Sequence, residues 1–348
     1  MHIAAIGKAF PRHYYDQATL LHALREVWGQ RHFNLDRLEA IHKNVLVGGR
    51  HLALPLEQYE TLTSWGKANN AWIQVAREVG EQAVRAALER AGLTPCDVDA
   101  FTFVTVTGIS TPSLDALLMN QLHLPPRVKR TPIFGLGCVA GAAGLARIAD
   151  YLRAYPDHVA VLLSVELCSL TIQRDDLSVP NLIATGLFGD GAAAAVVVGA
   201  NRPASGPRIL AARSVFYPNS ERVMGWDVSE TGFRIVLSAD VPNVVLEHMA
   251  QDVDAFLGDQ GLARRDIACW ISHPGGPKVL QAMQQALGLD DGALDTSWRT
   301  LREVGNLSST SVLLVLEETM NHPPPAGGYG LLVAMGPGFC AEMVLLQW

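Results

Sequence analysis

Cys138 stands in Phe134-Gly135-Leu136-Gly137-Cys138-Val139-Ala140-Gly141-Ala142-Ala143-Gly144-Leu145, where glycines and a short apolar stretch lead into small helix formers. The pattern predicts a strand, a tight turn and a buried helix, with a thiol at the helix entrance. The unpaired N–H groups and positive dipole end of such a helix stabilise a thiolate, so a cysteine placed there is a candidate nucleophile at neutral pH. A nucleophile needs a base and a group to hold developing negative charge. Trp270-Ile271-Ser272-His273-Pro274-Gly275-Gly276-Pro277 offers His273, and Val304-Gly305-Asn306-Leu307-Ser308-Ser309-Thr310-Ser311 offers Asn306. Together they form the Cys/His/Asn inventory of covalent acyl transfer. The competing explanation is packing, because a cysteine in an Ala/Gly-rich helix is usually a small core residue. Glycines flank all three positions, which lets backbone approach a ligand closely and is otherwise costly in regular elements. Gly135 and Gly137 do not open a dinucleotide loop: the third glycine falls at Gly141, and no acidic ribose partner is evident.

The elements that must position these residues alternate between apolar strands and helical segments, which predicts a layered α/β fold. Helices are expected over 16–28, 71–91, 114–122, 142–154, 244–258 and 278–287. Buried strands are expected over 100–107, 158–165, 192–199, 268–272 and 330–335. The internal break follows Val196-Val197-Val198-Gly199-Ala200, where Asn201-Arg202-Pro203-Ala204-Ser205-Gly206-Pro207 reads as a connecting loop. This gives an amino-terminal unit, 1–200, carrying the cysteine, and a carboxy-terminal unit, 201–348, carrying the histidine and asparagine. Gly-Asp-Gly-Ala at 189–192 and Gly-Gly-Tyr-Gly at 327–330 each run into a strand, which suggests a divergent internal duplication.

Composition narrows the class. With 348 residues, 49% of them hydrophobic, the chain can bury a large core. No cationic segment followed by a long apolar run opens it, and no stretch of about 18 uncharged apolar residues is present, so neither a signal peptide nor a membrane span is expected. Five cysteines without a C-x-x-C spacing argue against a disulfide framework and a zinc site, and a cytoplasmic setting is expected. The net charge of −7 argues against general nucleic-acid binding, although Arg127, Lys129 and Arg130 form a local basic cluster.

Five motifs in order carry a resemblance that runs from Tyr14-Tyr15-Asp16-Gln17 to the last strand: Gly137-Cys138-Val139-Ala140-Gly141, Leu187-Phe188-Gly189-Asp190-Gly191-Ala192, His273-Pro274-Gly275-Gly276-Pro277, Gly305-Asn306-Leu307-Ser308-Ser309 and Met335-Gly336-Pro337-Gly338. The set resembles type III polyketide synthases, the chalcone synthase family. Acyl-carrier-protein ketoacyl synthases, which also use Cys/His/Asn, fit less well because Pro-Gly-Gly-Pro follows His273. The family's Gly-Phe-Gly-Pro-Gly loop reads Ala334-Met335-Gly336-Pro337-Gly338 here, a departure that bears on the shape of the cavity floor.

The resemblance implies a thiolase fold, two αβαβα halves forming a five-layered core, in a homodimer with a complete active site per subunit. It implies acyl-CoA and malonyl-CoA as substrates, with no separate cofactor and no metal. Cys138 would carry the acyl group, with His273 and Asn306 assisting decarboxylation. Phe188 resembles the family's gatekeeper, and Thr107, Cys168, Thr171, Ile235 and Ser308 fall where the family lines its substrate pocket. Lys43, Arg50 and the backbone at Lys278 fall where it contacts CoA. Plant chalcone synthases have threonine at the position of Cys168 and phenylalanine at that of Ile235, so the lining here is less aromatic. This looks more like the bacterial branch that joins fatty acyl starters to malonyl units and releases alkyl pyrones or resorcinols. Two alternatives stand beside it: an aromatic product such as tetrahydroxynaphthalene or phloroglucinol from malonyl-CoA alone, or from a short or aryl starter, and a silent thiolase-fold scaffold.

Overall fold

The computed structural model describes residues 1–28 and 35–348. In chain order the strands are β1 (His2–Ala9), β2 (His13–Asp16), β3 (Gly49–Leu52), β4 (Ala100–Thr105), β5 (Lys129–Phe134), β6 (Val159–Leu167), β7 (Asp190–Val198), β8 (Arg208–Phe216), β9 (Met224–Ser229), β10 (Gly232–Leu237), β11 (Ile267–Ser272), β12 (Tyr329–Gly336) and β13 (Cys340–Gln347). The helices are α1 (Gln17–Trp28), α2 (Leu35–Asn44), α3 (Leu56–Tyr59), α4 (Trp65–Arg90), α5 (Leu114–Leu122), α6 (Ala140–Ala154), α7 (Val179–Leu187), α8 (Val241–Gly258), α9 (Pro277–Leu287), α10 (Asp295–Val304) and α11 (Ser311–Asn321).

Alternation of side chains along the strands sets the layers. In β6, Val159, Val161, Leu163 and Val165 pack with Ala76, Ala83 and Leu88 of α4, whereas Ala160 and Leu162 turn the other way, toward Leu145 and Ile148 of α6. Strands β12 and β13 repeat the arrangement. Leu332, Ala334, Val344 and Leu346 join α6 and α11 in the central cluster, while Leu331, Val333, Met343 and Leu345 pack with α8 and α9. The order is therefore helix, sheet, helix, sheet, helix, with α6 and α11 in the middle. This is the thiolase fold.

The strand order is β11-β12-β13-β8-β1-β7-β6-β4-β5. Antiparallel pairs β1–β7 and β7–β6 are followed by parallel β6–β4 and β4–β5. Antiparallel β8–β13 and β13–β12 are likewise followed by parallel β12–β11, so the second set repeats the pairing of the first without a counterpart of β5. The two sets meet where His2 pairs with Arg208.

Boundaries differ from the sequence expectation where local polarity hides the period. Helix α4 starts at Trp65 rather than at 71, because Ser64 caps it by accepting from Lys67 N at 3.3 Å and the polar first turn carries no apolar stripe. Helix α8 starts at Val241, with Pro242 in the first turn, where a missing N–H costs nothing. Strand β4 stops at Thr105, short of 107. Among the described residues no helix is long and apolar enough to cross a membrane.

Candidate active site

Cys138 lies in a 3-10 turn, Gly137–Val139, between β5 and α6. Gly137 has φ +57, and a Cβ there would sit 2.7 Å from Pro337 Cδ, so only glycine lets the turn close against the Gly336-Pro337-Gly338 loop. A Cβ on Gly141 would sit 2.3 Å from Ser309 O. This close approach brings the first turn of α6 onto the 308–310 turn, where Ser308 Oγ lies 3.7 Å from Cys138 Sγ. His273 continues β11, its N–H donating to Val333 O at 2.9 Å. Asn306 joins α10 to α11; its Oδ1 accepts from Ser308 N at 2.8 Å and its Nδ2 donates to Gly275 O at 3.2 Å. Cys138, His273 and Asn306 thus converge on one small pocket of about 40 Å³, closed by Phe188, Met335 and Phe339.

Burial governs the charges. It pushes the Cys138 thiol up from 9.0 to about 12, against the pull of Ser308 and Asn306 and with a further push from Glu166. That rise corresponds to about 4 kcal/mol, whereas a helix amino terminus supplies about 0.3–2 kcal/mol. The helix entrance alone therefore does not make a thiolate here, and the proton acceptor that the sequence argument also called for is required. His273 lines the same pocket with both ring nitrogens buried and free of hydrogen-bond partners. Burial, which pushes its imidazole down to about 3, keeps the ring neutral so that a nitrogen is open to a proton, though at a cost in basicity. Moving a proton from Sγ to the ring creates two opposite charges together, whose attraction in a low-dielectric pocket offsets part of the cost of each.

Phe188 is, among the described residues, the one that lines both this pocket and a larger cavity of about 540 Å³. Cys168, Thr171 and Ile235 line the larger cavity. Thr107 does not reach it. Its hydroxyl donates to Glu166 Oε2 at 2.8 Å and accepts from Trp72 Nε1 and Leu167 N at 3.2 and 3.0 Å, and it borders a void of about 10 Å³ instead. Ser308 faces Cys138 rather than the larger cavity. Lys43 and Lys278 are exposed at the end of α2 and the start of α9, whereas Arg50 is buried in the cavity wall and donates to Phe188 O at 3.3 Å.

Glu166 has no role in the sequence reading. Its Oε2 accepts from Thr107, from Val106 N at 3.1 Å and from Thr105 Oγ1 at 3.2 Å, while Oε1 accepts from Ser309. Burial raises this carboxyl to about 7. It ties the end of β4 and strand β6 to the turn that follows Asn306. Its signal in the sequence is the interruption of the apolar run Val159–Leu167 by Ser164 and Glu166. Among the described residues no group of three or more His, Cys, Asp or Glu is arranged to hold a metal.

A thiolase fold whose two strand sets bring Cys, His and Asn into one pocket defines a condensing acyltransferase. The chain belongs to the chalcone and stilbene synthase family: the family's N-terminal domain matches residues 1–202 and its C-terminal domain residues 208–348. A 1,3,6,8-tetrahydroxynaphthalene synthase of Streptomyces peucetius subsp. caesius is 49% identical, covering 99% of this chain and 93% of that protein. A phloroglucinol synthase of Pseudomonas fluorescens is 33% identical over 97% of each. The crystal structure of 1,3,6,8-tetrahydroxynaphthalene synthase from Streptomyces coelicolor, a bacterial type III polyketide synthase, superposes with a TM-score of 0.95 at 32% identity, covering 100% of this chain and 99% of that one. This protein is accordingly a type III polyketide synthase, as the motifs implied.

Proposed function

We propose that this enzyme condenses malonyl-CoA units, priming included, into an aromatic polyketide of the tetrahydroxynaphthalene type. The observation that carries this is the 49% identity, over nearly the whole chain, to a protein named for that product. It favours this product over the alkyl pyrone expected from the pocket lining.

Cys138 Sγ attacks the thioester carbonyl of the primer, His273 takes the thiol proton, and the thiol of CoA leaves with a proton. In the next malonyl-CoA the bond to the carboxylate breaks, CO₂ departs, and the electron pair spreads onto the thioester oxygen. Asn306 Nδ2 and the His273 ring donate to that oxygen. The carbanion attacks the Cys138 thioester, Sγ leaves as thiolate, and the chain, two carbons longer, returns to Cys138 from CoA. A naphthalene skeleton corresponds to five two-carbon units: each of four extensions releases one CO₂, and the primer's own carboxylate leaves as a fifth CO₂ before the rings are complete.

Lys43, at the end of α2, and the backbone at Lys278 are proposed to meet the CoA phosphates. Strand β5 is an exposed sheet edge and is proposed as the homodimer seam. The units divided near residue 200 are taken as the two repeats. Incubation with malonyl-CoA alone, read by mass spectrometry, tests the function: an aromatic pentaketide supports it, and product appearing only with an added acyl-CoA overturns it. The apolar cavity of about 540 Å³ favours a second reading, an aliphatic acyl-CoA starter, with each buried methylene gaining roughly 0.8 kcal/mol.

A further inference from the structure

We propose that the buried guanidinium of Arg50 binds a carboxylate at the far end of the acyl chain, so that the enzyme selects starters bearing a terminal acid. The inference rests on the reading that malonyl-CoA primes the reaction, and it names the feature of the primer that is recognised.

Arg50 is 3% exposed and lines the larger cavity. A guanidinium offers five N–H donors. The structure uses one, to Phe188 O at 3.3 Å, and leaves Nε buried without a partner. Leaving a buried cation so under-bonded is costly unless an anion completes it. Asp190, the acid whose charge Arg50 feels most, is already engaged. Its Oδ1 accepts from Ser169 N at 2.8 Å, and its Oδ2 accepts from Ala53 N at 2.6 Å and from the Ser169 hydroxyl. Among the described residues Arg50 hydrogen-bonds to no carboxylate, and Asp190 acts on it through its charge alone.

Other polar groups of the lining are satisfied locally. Thr171 Oγ1 donates to Cys168 O at 2.8 Å, and Asn181 Nδ2 donates to Gln173 O at 2.8 Å and Asp176 O at 2.6 Å. Arg174 adds a second cation to the lining. The acids that line the cavity, Glu26, Glu57 and Glu60, are exposed at its rim and disfavour a free anion arriving from solvent. An anion tethered to the growing chain comes from the other side. Each extension inserts two carbons between Cys138 and the starter, so the starter's end recedes from the thioester and past Phe188, the residue shared with the larger cavity. There it meets a planar donor fork that suits a carboxylate better than a lysine would.

The test compares glutaryl-CoA with pentanoyl-CoA, matched in carbon number, as starters with malonyl-CoA as extender, in wild type, Arg50→Met and Arg50→Lys. The readout is the ratio of their kcat/KM values, whatever loss both starters share. Wild type is expected to favour glutaryl-CoA, and Arg50→Met to lower that ratio by about 10-fold or more, as for a lost charge-assisted hydrogen bond. Arg50→Lys, which keeps the charge without the fork, is expected to fall between, and it decides the matter if Arg50→Met does not fold. A ratio unchanged by both variants, or a wild type that rejects glutaryl-CoA, overturns the site. Failure of the malonyl-priming reading shows separately, as absence of an aromatic product from malonyl-CoA alone while the Arg50-dependent ratio persists.

Discussion

Phe188 and Asn306 are joined by a short parallel bridge: Asn306 N donates to Leu187 O at 2.9 Å, and Gly189 N donates to Asn306 O at 3.0 Å. The residue between the two cavities and the amide that lines the small pocket with Cys138 therefore share one backbone contact, and displacing either displaces the other. Gly305 permits it, with φ +77 and room for a Cβ only 2.7 Å from Leu187 O, the carbonyl that receives Asn306 N.

Gly305→Ala is accordingly expected to slow malonyl-CoA decarboxylation by about 10²-fold, the usual penalty for a misplaced catalytic group. Release of CO₂ measures it, with circular dichroism to check the fold. A wild-type rate in a folded variant would show that the bridge does not position Asn306.

His273 and Asn306 are expected to separate by assay. Asn306→Ala should cut decarboxylation by about 10²–10³-fold while sparing starter loading, as for a lost oxyanion donor. His273→Ala should impair both and also raise the pH at which iodoacetamide alkylates Cys138, because without the imidazole no base offsets the burial that pushes the thiol up to about 12. If the alkylation profile of His273→Ala matched that of wild type, the thiol would not depend on the imidazole.

How much of this was legible beforehand follows from what each residue does. The glycine-flanked Cys138, His273 and Asn306 stand out because close backbone approach leaves a compositional trace, and the resemblance ordered them into one site. The sequence pattern predicts helix α5 at its observed bounds because Leu114, Leu118 and Leu122 keep a helical period. Position in the sequence does not orient Thr107 or Arg50. Which way Thr107 turns depends on Trp72 and Glu166, far away in sequence, and Arg50 faces inward because β3 pairs with β2 beside the Phe188 turn.

Glu166 offers a pH test. Its carboxyl is raised by burial from 4.5 to about 7, so between those values the folded protein keeps a proton that the unfolded chain has lost. Stability contributed at this site therefore falls as pH rises through that window and levels off above it. Glu166→Gln removes the titration. Its stability relative to wild type should increase from pH 5 to pH 8 by up to about 1.4 kcal/mol per pH unit within the window. Urea unfolding at both pH values measures it, and a difference that stayed constant would mean Glu166 titrates normally.

Strand β5 presents Lys129, Arg130, Thr131, Pro132 and a half-exposed Phe134 along an unpaired edge. A second copy covering that edge would bury Phe134, so Phe134→Asp should weaken a dimer by at least about 10-fold, in line with a buried unpaired charge. Sedimentation at graded concentration would show it. Unchanged association would place the seam elsewhere.

Cys168 tests the larger cavity directly. It is 6% exposed and lines the space of about 540 Å³ together with Phe188 and Ile235, so enlarging it subtracts volume where the distal end of the chain must lie. Cys168→Phe should penalise longer occupants by about 1–3 kcal/mol, the usual cost of overpacking, while short ones still fit. With acyl-CoA starters of graded length, kcat/KM should fall progressively more as the chain grows. With malonyl-CoA alone, release should shift from the aromatic product to shorter lactones, because a chain that cannot extend past Phe188 cyclises early. A loss equal for all lengths, with the product pattern unchanged, would mean that the acyl chain does not enter this cavity.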